Sequence, residues 1–202
     1  MSETTLRRAL VDCILLFSDR GWVPATSSNF SARLSADRLL VSRSGVDKST
    51  FAEEDLIQVD LDGNVLFPTG ARASAETLIH CALYNHFPEV GCVLHTHSPY
   101  GTVMSRRFAA SGSIEFTGYE IQKAFNGISS HQSVVSLPIV PNTQDMIQMT
   151  AQLQLNLPLY RHGFLIEGHG LYAWGKDVFS AKRSIEAFEF LLKCSLLEGR
   201  VE

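Results

Sequence analysis

Leu6, Leu10, Cys13, Ile14 and Phe17 recur at helical spacing and Gly21 ends the run, so the chain opens on an amphipathic helix. Over residues 29–42 the pattern shortens to alternating strands with a turn at Ser35-Ala36-Asp37, and a turn at Ser44-Gly45 follows. Residues 59–67 predict a hairpin around Leu61-Asp62-Gly63-Asn64, because Asp-Gly between apolar runs favours a tight turn. A second helix is expected to start directly after Ser74, which can cap it, and to stop near His86 ahead of Pro88. Residues 90–96 form a strongly apolar strand. Helices are expected over about 99–106, 118–125 and 143–155, and apolar strands over 164–166 and 171–174. A long closing helix begins at Asp177, a good cap. Strands and helices mix without regular βα alternation. That favours an α/β sandwich with a mostly antiparallel sheet over a doubly wound parallel one.

Composition narrows the class. The 202 residues are 45% hydrophobic and 19% charged, which suits one domain, 1–202, with a sizeable core. No apolar run approaches the ~20 residues needed to span a bilayer. The first residues lack the apolar stretch of a secretory signal, so a cytoplasmic location is expected. The net charge of −4, with scattered basic residues, argues against general nucleic-acid binding. Cys13, Cys81, Cys92 and Cys194 form no C-x-x-C pair and read as small hydrophobes in a reducing compartment.

The sharpest chemical signal is His95-Thr96-His97 at the end of an apolar strand. Residues i and i+2 of a strand share a face, so both imidazoles can reach one metal ion. An H-x-H alone also describes two surface histidines. A third ligand strengthens the metal reading: His169 lies in Glu167-Gly168-His169-Gly170, a tight bend between apolar strands. His162 is a rival in an exposed turn, while His80, His86 and His131 are helical or unplaced. Three imidazoles with an open position suit catalytic zinc.

Thr26-Ser27-Ser28-Asn29, Ser42-Arg43-Ser44-Gly45 and Ser74 supply turn amides, hydroxyls and a helix start. Together these can cradle a phosphate, with Ser27, Asn29, Ser44, Gly45 and Ser74 as the candidates. Singly, each is also ordinary turn chemistry. Glu76 and Glu120 are acid/base candidates. Both also suit complementing a helix dipole, and spacing alone does not select them over other acids.

In this order the segments resemble the class II aldolase/adducin family: Thr-Ser-x-Asn, Ser-x-Ser-Gly, Ser-x-Glu, His-Thr-His, then a late His-Gly. The resemblance runs from about Leu6 to Leu197. Three runs are similar to the dehydratases of the family. They are Ala73-Ser74-Ala75-Glu76-Thr77-Leu78-Ile79-His80, Val93-Leu94-His95-Thr96-His97-Ser98 and Gly118-Tyr119-Glu120-Ile121-Gln122-Lys123-Ala124. The dehydratases place their acid/base glutamate in the last run, at the position of Glu120. The family's sugar-phosphate aldolases rely on the glutamate matching Glu76, and this chain keeps both. Ala73 stands where many members carry proline.

The resemblance implies a three-layer α/β/α sandwich and one zinc ion per subunit on His95, His97 and His169. It also implies a homotetramer, commonly of C4 symmetry, with sites at subunit boundaries that a neighbouring chain completes. The implied substrate is a small phosphorylated ketose, either dehydrated or cleaved by retro-aldol chemistry. In dehydration Glu120 would act as an acid with its pKa raised by partial burial. The non-catalytic adducin-type members typically lose the metal histidines, and this chain retains all three.

Overall fold

The computed structural model describes residues 2–199. Helix α1 (Glu3–Asp19) is capped by the Ser2 hydroxyl, which accepts from the Thr5 N–H, and it buries Leu10, Cys13, Ile14 and Phe17 as its spacing predicts. The strands β1 (Phe30–Arg33), β2 (Arg38–Ser42), β3 (Leu56–Asp60) and β4 (Val65–Phe67) form a meander. Then come α2 (Thr77–His86), β5 (Cys92–Thr96) and α3 (Pro99–Arg107), followed by β6 (Ser113–Phe116) and β7 (Val135–Val140). Helix α4 (Met146–Asn156), β8 (Gly163–Ile166), β9 (Gly170–Gly175) and α5 (Val178–Glu198) complete the order.

The nine strands make one sheet in the order β4-β3-β2-β1-β5-β9-β8-β7-β6. Among the described residues only β7 and β8 pair parallel, so the sheet is mostly antiparallel as expected. Residues of α1, α3 and α5 join one hydrophobic cluster and residues of α2 and α4 the other, which makes three layers. Along β5 the side chains alternate between the two. Cys92 and Leu94 enter the α1/α5 cluster, and Val93 enters the α2/α4 cluster. By the same alternation His95 faces the α2/α4 side and Thr96 the α5 side.

Several boundaries differ from expectation. Helix α2 starts at Thr77, and Ser74 does not cap it; its hydroxyl accepts from the Glu76 N–H within a preceding turn, at 3.3 Å. Helix α4 starts after Asp145, whose carboxylate accepts from the Ile147 and Gln148 N–H groups. The helix expected over 118–125 is a short 3-10 segment, Glu120–Ala124. Strands β6 and β7 were not anticipated: Pro138 interrupts the apolar alternation of β7 and reads as a breaker.

Candidate active site

His95 is fully buried at the end of β5. Its Nδ1 lies 2.9 Å from the Leu171 carbonyl, a contact that requires Nδ1–H and leaves the Nε2 lone pair free. Its ring stacks on Tyr172, centroids 3.9 Å apart. His97, one residue past the strand, is held by its N–H donating to the Trp22 carbonyl at 2.7 Å. His169 sits in the β8–β9 turn. Gly168 takes a left-handed φ of +61°, and a Cβ at Gly170 would lie 2.0 Å from the Thr96 carbonyl oxygen, so the bend tolerates no side chain there.

The three Nε2 atoms converge. His95 and His97 are 2.7 Å apart, His97 and His169 3.1 Å, and His95 and His169 3.4 Å. Zn–N bonds of 2.0–2.1 Å in tetrahedral geometry set ligand nitrogens about 3.3 Å apart. The donor set therefore fits one divalent ion, with His95–His97 somewhat tight. Burial drives the His95 pKa well down, and burial followed by the charge of His169 brings His97 to about 4. Both rings are thus neutral and ligand-competent at neutral pH.

Glu76, at the N-terminal end of α2, reaches this cluster. Its Oε1 is 3.1 Å from His169 Nε2 and its Oε2 3.9 Å from His95 Nε2. Burial opposes the charged carboxylate, but the His169 hydrogen bond and the histidine charges hold its pKa down at about 2. Asn29 donates through Nδ2 to Glu76 Oε2 and faces His80 with Oδ1. Its side-chain amide thus bridges these two residues through one N–H and its oxygen.

A cavity of about 330 Å³ opens beside the histidines. All five phosphate candidates line it (Ser27, Asn29, Ser44, Gly45 and Ser74), together with Glu76, His97 and His169. Among the described residues, the buried Oγ atoms of Ser27 and Ser28 have no hydrogen-bond partner, which a ligand oxygen would supply. Ala25, Thr26 and Ser28 all take left-handed φ, a strained loop of the kind found at binding sites. Another stretch of its wall comes from Asn142, Thr143, Gln144, Met146 and Met149. Sequence reading missed this wall because it follows the unrecognised β7.

Glu120 lies elsewhere. Its side chain is 73% exposed and pairs with Lys123 at 2.5 Å and with His131 at 3.9 Å. The hydrogen bond from Lys123 and nearby positive charge lower its pKa, the reverse of the elevation expected for a buried acid. Within one chain it does not line the cavity. His162 packs against Phe125 and lines a different cavity, away from the three clustered histidines, which removes it as the rival ligand.

A family model described as the Class II Aldolase and Adducin N-terminal domain matches residues 8–196. The methylthioribulose-1-phosphate dehydratase of Xanthomonas campestris pv. campestris is 50% identical over 194 residues, covering 95% of this chain and 88% of that protein. Among solved structures, YgbL of Klebsiella pneumoniae superposes with a TM-score of 0.83 at 24% identity, over 100% of this chain and 93% of its own. The L-fuculose-1-phosphate aldolase of Thermus thermophilus gives 0.77 at 22% identity, over 98% and 96%. At these identities the solved structures speak for the fold. With the family model spanning nearly the whole sequence and a relative half identical along it, the chain belongs to the class II aldolase/adducin N-terminal domain family.

Proposed function

We propose that the chain is a zinc-dependent hydro-lyase. It would convert 5-methylthioribulose 1-phosphate to 2,3-diketo-5-methylthiopentyl 1-phosphate in methionine salvage, as a cytoplasmic homotetramer. The observation that carries this reading is the 50% identity, along 95% of the chain, to a dehydratase named for that substrate. The cavity supports it: hydroxyls for a phosphate line the same space as His97 and His169, whose ligand atoms cluster with that of the buried His95.

When bound by His95, His97 and His169, zinc supplies a Lewis acid for the C2 carbonyl and C3 hydroxyl of the ketose. Ser27, Ser44 and Ser74, with the turn at Gly45, hold the phosphate and so fix which carbon faces the histidines. Glu76 places its carboxylate 3.1 Å from His169 Nε2, where it could take the proton removed from C3. Glu120 protonates the departing C4 hydroxyl. Because it lies outside its own chain's cavity, it would serve the site of a neighbouring subunit. There, docking against that site would supply the burial that raises its pKa.

The test is mass spectrometry of the product from zinc-loaded protein and 5-methylthioribulose 1-phosphate. A product one water lighter, absent after chelation, is expected. One observation favours a second reading, a sugar-phosphate aldolase: Glu76 already sits at the histidines whereas Glu120 does not. Unchanged substrate, with dihydroxyacetone phosphate released from other ketose 1-phosphates, would establish that reading instead.

A further inference from the structure

Glu76, His80 and Tyr84 succeed one another at four-residue spacing and form one stripe along the start and body of α2. The stripe faces Asn29 and Ser31, which share one face of β1 and the residue before it. His80 and Tyr84 are almost wholly buried, 1% and 2% exposed. His80 Nε2 meets Asn29 Oδ1, and its Nδ1 lies 2.6 Å from Ser31 Oγ. Ser31 Oγ in turn lies 2.9 Å from the Tyr84 hydroxyl. A chain of contacts therefore runs from Tyr84 to the carboxylate beside the three histidines.

Its polarity follows link by link. A carboxylate only accepts, so Asn29 must turn its NH2 to Glu76 and its oxygen to His80. His80 must then carry its proton on Nε2, leaving Nδ1 as an acceptor. Ser31 donates to Nδ1, and its oxygen accepts from Tyr84. Burial, which takes the His80 pKa down to about 4 against the charge of Glu76, keeps the ring neutral as this order requires.

We infer that His80 is a positioning residue that locks the Asn29 amide, and through it aims the Glu76 carboxylate at the three-histidine centre. The inference rests on the role proposed for Glu76 and adds a residue to it. A buried histidine filling core space would satisfy the packing equally well but would have no energetic link to Glu76.

The experiment is a double-mutant cycle of His80→Phe and Glu76→Gln, read by zinc affinity against a chromogenic chelator and by the visible spectrum of the cobalt-loaded protein. Neither readout needs substrate, so the result is independent of which reaction the enzyme performs. We expect His80→Phe to weaken zinc roughly 10- to 100-fold and to shift the cobalt bands. In the Glu76→Gln background it should change neither, and His80→Gln, which keeps an N–H donor, should restore much of the loss. An equal loss in both backgrounds would overturn the inference, as would no loss in either. If Glu76→Gln alone changes neither readout, the carboxylate does not bear on the metal centre and the inference fails, while product analysis still decides the reaction and the part of Glu76 in it. Should His80→Phe not fold, nitrogen-15 spectra of the wild-type histidine rings decide: Nε2–H on neutral His80 is expected, and Nδ1–H or a doubly protonated ring would overturn it.

Discussion

The Thr96 hydroxyl donates to Glu189 Oε1 at 2.6 Å, on the face of β5 opposite to the one that carries His95. Thr96 is fully buried and Glu189 is 1% exposed, so the strand end that carries the histidines rests on a dry carboxyl from α5. Burial pushes the Glu189 pKa up to about 7, against the lowering effect of Ser98 and Thr96. Its Oε2 has no partner among the described residues.

The consequence for stability has a definite sign. Below about pH 4.5 both folded and unfolded chains hold this proton. As pH rises the unfolded chain releases it first, so stability falls until the folded carboxyl also ionises near pH 7. The penalty at higher pH is on the order of 3 kcal/mol as an upper bound. Glu189→Gln stays neutral throughout. Its melting temperature should therefore rise relative to wild type between pH 4.5 and 7, and the difference should level off above that. Melting curves of the metal-free proteins across this range check it, and a pH-independent difference would refute the buried-acid account.

His97→Ala removes an imidazole that is only partly buried, so the fold should survive while the ion does not. Zinc per chain, measured by elemental analysis, should fall from about one to near zero under limiting zinc. Circular dichroism should stay unchanged. Retention of stoichiometric zinc would show that the converging Nε2 atoms are not the ligand set.

The orphaned hydroxyl of Ser27 predicts a selective effect on phosphorylated substrate. A hydrogen bond to a charged group contributes about 1.5–3 kcal/mol, so Ser27→Ala should raise KM roughly tenfold or more while kcat changes less. Ser74→Asp places a second negative charge at the cavity and should be far worse. Steady-state kinetics would tell against a phosphate cradle if both variants kept wild-type KM.

What could be read from the sequence depended on the range of the interactions involved. His95 and His97 were legible because the strand period alone puts them on one face, and His169 because flanking glycines mark a tight bend. Glu76 was named, but not its place beside His169, a contact that joins the start of α2 to the β8–β9 turn. Asn29 looked like turn chemistry because its partners, Glu76 and His80, lie 47 and 51 residues away. For the same reason His80 passed as one more helical histidine. The cavity wall from Asn142 to Met149 was hidden behind β7, whose Pro138 conceals a strand held by pairing with β6 and β8. The exposure of Glu120 has no local signature at all, since a 3-10 segment with mixed polarity can face either way.

Glu120 also yields the most demanding prediction. In one chain its carboxylate is solvated and ion-paired with Lys123, a poor state for an acid at neutral pH. If it acts on a neighbour's substrate, Glu120→Gln should lower dehydration by about 10²–10⁴-fold with zinc content unchanged. His97→Ala should be inactive for a different reason, loss of the ion. In a symmetric oligomer whose sites each combine histidines from one subunit with Glu120 from the next, mixing the two dead variants creates some intact sites. Unfolding and refolding them together should restore part of the wild-type rate, whereas each refolded alone should stay inactive. Absence of recovery, with mixed oligomers confirmed by native mass spectrometry, would rule out service to a neighbour's site, and an unchanged rate in Glu120→Gln itself would place Glu120 outside the chemistry and leave Glu76 as the acid/base group.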